Sequence, residues 1–165
     1  MSQLSNKYYS DRQEKMIASF LGWSVVSGSG ARSTLPGDIR SEDWLGECKT
    51  HDSVGHKINF KKSVWKKIED EASSKFKFPA LFVDDGSQTK KHTWVMFKIL
   101  PVGEYQLVKY PNTIKDNILF DSLSMLEHRK SVDSFSPVVY DLSDDVSLKF
   151  ISTLEDFAYL FFQVR

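Results

Sequence analysis

Apolar residues recur at two periods along this chain, and the switches between them outline the elements. From Lys7 to Leu21, the apolar positions Tyr9, Ile17, Ala18, Phe20 and Leu21 fall at helical spacing, and Gly22 stands where a helix would stop. Trp23 to Ser27 is a short β-rich run, followed by the turn-forming stretch Ser27-Gly28-Ser29-Gly30-Ala31-Arg32 and a second turn signal, Pro36-Gly37. Asp38 to Arg40 and Trp44 to Thr50 read as two strands joined by Ser41-Glu42-Asp43, the spacing of an antiparallel hairpin. After the loop His51 to His56, Phe60 to Ser74 is expected to be a helix. Its buried stripe is Phe60, Val64, Ile68 and Ala72, with Lys61, Lys62, Lys66 and Lys67 largely off that stripe.

Pro79 to Val83 is nearly all apolar, which suits a strand covered on both faces. His92 to Leu100, Tyr105 to Tyr110 and Pro137 to Leu142 are further strand candidates. Ile114 to Lys130 reads as a helix. So does the tail from Val146 to Phe162, with Phe150, Leu154, Phe157 and Phe161 on one side and Ser143 or Asp144 as its cap. The expected order is α-β-β-β-α-β-β with a C-terminal extension, a mixed α/β fold.

A length of 165 residues suits one domain with its own core. No apolar run approaches the roughly 20 residues of a membrane helix, and the polar start from Met1 to Tyr9 does not read as a secretory leader. Cys48 is the single cysteine, so an internal disulfide and a C-x-x-C zinc motif are both excluded and a reducing cytoplasm is the expected compartment. Charge sums to zero over 22 basic and 22 acidic residues, which argues against a general nucleic-acid coat protein. The distribution is uneven, however. Residues 49–98 carry 11 lysines against 6 acids, whereas residues 112–165 carry 5 basic against 9 acidic side chains. A local basic surface can meet phosphate on a neutral chain.

The chemistry concentrates on the hairpin. Alternation along a strand puts Leu45, Glu47 and Lys49 on one face and Trp44, Gly46 and Cys48 on the other, and the hairpin can bring Asp38 beside Glu47. Adjacent carboxylates repel unless a cation joins them, and Mg²⁺ or Mn²⁺ prefers such oxygen ligands. A lysine beside that cation can orient an attacking water and balance phosphate charge. Glu14 lies about 40° from Ala18 and about 20° from Leu21 on the helical wheel, an acid on the apolar side of its helix. Cys48 faces away from these residues and reads as a structural thiol, and His51 as a polar loop residue near them.

In this order, these features resemble the PD-(D/E)XK nuclease superfamily, and within it the small Holliday junction resolvases of archaeal and phage type. Glu14 matches the acid of the first helix, Asp38 the Asp of the P-D element, and Glu47 and Lys49 the (D/E)-x-K element. The Ser27 to Gly30 stretch resembles the turn before the family's site. The likeness spans roughly residues 7–100. Gly37 separates Pro36 from Asp38 where the family has Pro directly before Asp, and Lys61 or Lys62 would supply the polar residue of the following helix.

The resemblance implies a restriction-endonuclease-like mixed central sheet flanked by helices and a nuclease core over residues 1–100. Residues 101–165 would then be an extension completing the same domain. It implies a metal-dependent DNA endonuclease that hydrolyses phosphodiesters with Mg²⁺ or Mn²⁺ on Asp38, Glu47 and Glu14, with Lys49 orienting the water. Ser29, Arg32, Lys61, Lys62, Lys66 and Lys67 are the candidate DNA contacts. The expected partners are branched DNA and a second copy of the chain, since two symmetry-related cuts need two sites; the expected setting is a bacterial or phage-infected cell. A linear-duplex nuclease of restriction or repair type, or a non-catalytic nucleic-acid-binding module, are the other readings.

Overall fold

The computed structural model describes residues 4–26 and 35–164. It is a mixed α/β fold built on one large mixed sheet. The elements are α1 (Asn6–Leu21), β1 (Ser24–Val25), β2 (Ile39–Arg40), β3 (Trp44–Lys49), β4 (Ile58–Phe60), α2 (Lys62–Ser74), β5 (Phe78–Asp84), β6 (Thr93–Phe97), β7 (Gln106–Lys109), β8 (Ile118–Phe120), α3 (Ser122–Val132), β9 (Val138–Asp141), β10 (Phe150–Thr153) and α4 (Leu154–Phe162). The eight-stranded sheet runs β1-β2-β3-β5-β6-β10-β9-β7, and β4 with β8 forms a separate antiparallel pair. Pairing is antiparallel except at β3–β5 and β7–β9. The parallel pair β3–β5 needs a crossover, and α2 supplies it.

Both faces of the sheet are covered. Leu45, Leu81, Val83 and Met96 pack with Trp65, Ile68 and Ala72 of α2 and with Met125 of α3. On the other face, Trp44, Cys48, Phe82 and Phe97 pack with Ile17, Ala18 and Leu21 of α1 and with Leu154, Phe157 and Ala158 of α4. Burial on two faces explains the unbroken apolar run of β5. Strands from residues beyond 100 continue the sheet, since β10 pairs with β6 and β9 pairs with β10. Among the tail aromatics, Phe157 is fully buried, while Tyr159, Phe161 and Phe162 are partly buried against the same cluster. No helix among the described residues is long and apolar enough to cross a membrane.

Three expected helices begin later than their spacing predicts. Phe60 belongs to β4, where it is buried beside Ile58 opposite β8, and α2 starts only at Lys62. The first part of the Ile114 to Lys130 stretch is β8, and α3 begins after Asp121, whose carboxylate accepts from the Ser124 amide. The tail is a strand followed by a helix: β10 carries Phe150, and Thr153 caps α4 by accepting from the Asp156 amide. Ser143 and Asp144 cap no helix; the Asp144 carboxylate closes a turn on the amides of Val146 and Ser147. In each case a three- or four-residue strand that opens on an apolar residue mimics one turn of a helical stripe.

Candidate active site

The site forms around the last residues of β3, where α1 approaches from one face of the sheet and α2 from the other. Ile39 lies opposite Gly46 in the β2–β3 pair, which carries Asp38 to the level of Glu47 and Cys48. The Asp38 amide donates to the Gly46 carbonyl at 2.8 Å, and its carboxylate accepts from the Cys48 amide at 2.8 Å. Gly37 precedes it with φ +77°, in the left-handed region that favours glycine, and a Cβ there would lie 2.8 Å from the Leu45 side chain. This tight turn is the local reason why Gly separates Pro36 from Asp38.

Glu47 is 6% exposed, and its carboxylate meets the Lys49 ammonium at 3.1 Å, as expected of residues sharing a strand face. Glu14, also 6% exposed, stands on the inward side of α1. Burial, followed by the negative charge of Asp38, raises its pKa to about 7. The Asp38 carboxyl is raised to about 6, first by burial and then by Glu47, while the Cys48 amide opposes the shift. The Glu14 shift also includes repulsion from Glu47, so the three acids share one electrostatic environment. Cys48 is buried on the opposite face, and burial pushes its thiol well above the ordinary range.

Two participants escape the sequence reading. Gln13 is fully buried and donates from Nε2 to the Lys49 carbonyl at 2.7 Å, tying α1 to the end of β3. Lys67, expected to meet DNA backbone, turns toward the acids: its ammonium lies 4.0 Å from Glu47 and 3.8 Å from Glu71. Of the other candidate contacts, Lys62 pairs with Asp116 at 3.4 Å and Lys66 with Asp70 at 3.0 Å, all at the surface, and Lys61 is the exposed N-cap of α2. Ser29 and Arg32, with the rest of the Ser/Gly turn, lie outside the described residues. His51 stacks on His56 with ring centroids 3.8 Å apart, in the loop leaving β3.

The donor set suits a hard divalent cation. Among the described residues, no three histidine, cysteine or acidic side chains converge in a ready metal-holding group. Mg²⁺ does not require one, because it commonly takes one or two carboxylates and completes its shell with water and phosphate oxygens. Asp38 and Glu47 provide two adjacent carboxylates; burial and then the Glu47 charge raise the Asp38 pKa, and Lys49 and Lys67 offset part of that shift. Comparison with protein-family models, with curated proteins and with solved structures gives no match to this chain.

Proposed function

We propose that this chain is a divalent-metal-dependent DNA endonuclease with a PD-(D/E)XK-type site, acting on branched DNA. The observation that carries the reading is that Glu14, Asp38, Glu47 and Lys49 share one electrostatic environment near the end of β3, with two of the acids held at raised pKa by burial and by neighbouring acids. Glu14 on α1, Asp38 just before β2, and Glu47 with Lys49 on β3 are electrostatically coupled, which a surface hairpin with one cross-strand ion pair would not require.

Asp38 and Glu47 would hold Mg²⁺ or Mn²⁺, which supplies Lewis acidity toward a phosphate oxygen and a water. Asp38 is oriented for this by the Cys48 amide, so its position does not depend on the cation. Lys49 places its ammonium beside Glu47 and offsets charge that develops on the scissile phosphate. Glu14, buried on α1 and coupled to Asp38 and Glu47, is a third carboxylate that would assist the cation directly or through a water. Lys67 adds a second cation on the α2 side. Lys61 at the N-cap of α2, with Lys62 and Lys66 exchanging their surface pairs with Asp116 and Asp70 for phosphates, would make backbone contacts that position DNA without reading its sequence.

The test is cleavage of a labelled four-way junction beside matched linear duplex, in Mg²⁺, Mn²⁺ or EDTA, with wild type and Glu47→Ala. Metal-dependent paired nicks confined to the junction and absent in the variant support the reading. Cutting of both DNAs keeps the site and moves the substrate to linear duplex. Binding without cutting leaves a nucleic-acid-binding module and removes every hydrolytic role given above.

A further inference from the structure

Lys49 also borders a cavity that none of the hydrolytic roles above uses. It has a volume of about 310 Å³ and lies between the carboxyl ends of the parallel strands β3 and β5, β4 and the first turns of α2. Crevices at the carboxyl ends of strands are where open α/β sheets take ligands, and the volume is that of a small-molecule site. The buried side chains of Leu81 and Val83, with half-buried Val64, give it an apolar wall. Exposed Lys49 and Lys61 give it positive charge. Asn59 lines it too, and the Asn59 Oδ1 atom is buried without a hydrogen-bond partner.

These three properties match three features of a nucleotide. The flat faces of a base are apolar, its edge carries hydrogen-bonding groups, and its phosphate is anionic. A paired and stacked base has neither face nor Watson–Crick edge free, so the occupant is an unpaired one. We propose that the cavity receives one unpaired nucleotide adjoining the scissile phosphate. Its base packs on Val64, with Leu81 and Val83 forming the buried apolar floor behind it, the Asn59 amide meets the base edge, and Lys61 meets the neighbouring phosphate. The inference rests on the nuclease reading in one respect: Lys49 belongs both to the cavity and to the hydrolytic set, which is what places this nucleotide next to the cut. The site would select DNA that offers an unpaired nucleotide at the cleavage point, such as a flap or a branch whose pairs open at the branch point, over uninterrupted duplex.

The experiment uses the full chain in EDTA, so that nothing is cut. A branched DNA carries 2-aminopurine at successive positions around the branch. Its fluorescence is followed on titration with wild type, with Val64→Phe, which fills the cavity, and with Asn59→Leu, which removes the amide; thermal melting shows which variants are folded. The expected result is a fluorescence change at one unpaired nucleotide with wild type. Val64→Phe should abolish it and weaken binding to the branched DNA by about tenfold, within the range of one lost base contact, with affinity for linear duplex unchanged. Asn59→Leu gives the same pattern and stands in should Val64→Phe fail to fold. A response that persists in the folded variants, an equal loss on both DNAs, or no response at any position overturns the proposal. Cleavage in Mg²⁺ is measured separately on the same DNAs. A wild-type response without cleavage sinks the nuclease reading and leaves the nucleotide site, and cleavage without a response does the reverse.

Discussion

The Asp38 carboxylate accepts the Cys48 backbone amide at 2.8 Å, so a side chain takes the place of a strand partner for the residue between Glu47 and Lys49. The bond ties the turn after Pro36 to the end of β3. It also fixes one carboxylate oxygen of Asp38 beside the Glu47 and Lys49 pair. Structure and proposed chemistry therefore depend on one group, and substitutions at Asp38 can separate the two.

Asp38→Asn keeps an oxygen that can accept from Cys48 and removes the charge. It should fold with stability equal to or above that of the wild type, because the repulsion that raises Asp38 and Glu14 is relieved. Asp38→Ala leaves the Cys48 amide without its partner and should cost about 1–3 kcal/mol. Both variants should lose metal-dependent cleavage by about 100-fold or more. Denaturant melts and junction cleavage together check this; equal destabilisation by both variants would refute the structural half.

Glu14 governs a pH dependence whose sign follows from its raised pKa. Between its ordinary value of 4.5 and about 7, the folded chain keeps a proton that the unfolded chain has lost. The contribution of Glu14 to stability is therefore full below pH 4.5, falls as pH rises through that window, and is lowest above 7. Glu14→Gln should match the wild type near pH 4 and exceed it by on the order of 1–3 kcal/mol at pH 8. Melts of both proteins from pH 4 to 8 measure the difference. A constant offset would show that Glu14 is not held at a raised pKa.

If the proposed function holds, the same acids link metal binding to stability. A divalent cation held as proposed would compete with protons for Asp38, whose carboxyl is raised to about 6. Mg²⁺ should raise the melting temperature at pH 8, by about 2.7 kcal/mol equivalent at a hundredfold excess over its dissociation constant, and far less at pH 5. Asp38→Asn and Glu47→Gln should each abolish the effect. Calorimetric scans with and without Mg²⁺ decide it without any DNA.

The hairpin, α1 with inward Glu14 and the apolar β5 are legible in the sequence because each is long enough for its period to repeat or is closed by a turn residue. The shared face of Glu47 and Lys49 follows from strand alternation alone. Strands β4, β8 and β10 are not legible: Phe60 and Phe150 stand one helical turn before Val64 and Leu154, and only tertiary pairing assigns them to strands. Gln13 could have been found, since it lies about 40° from Ile17 on the same wheel that points Glu14 inward. The approach of Lys67 to Glu47 could not, because it depends on where α2 crosses the end of β3.

Gly46 holds the two halves of the site together from behind. It lies between Leu45 and Glu47 on the face away from the acids, and a Cβ there would sit 2.8 Å from the Phe82 ring, 2.9 Å from Ile39 and 3.2 Å from the Trp23 ring. Phe82 and Ile39 are fully buried on the flanking strands β5 and β2, so neither has room to withdraw. Gly46→Ala should push β2 away from β3 and cost about 1–3 kcal/mol by overpacking. Because Asp38 directly precedes β2, it should move off Glu47, and metal binding should weaken more than the loss of stability explains. Gly22→Ala is the matched control. Gly22 has φ +72° with nothing within 4 Å of its would-be Cβ, so that variant carries backbone strain without a clash, at the C-terminal end of α1 rather than between Phe82 and Ile39. Mg²⁺ titration of both variants below their melting range separates the outcomes. Weakened affinity in Gly46→Ala alone is expected, and equal affinity in the two would mean that the hairpin spacing does not set the site.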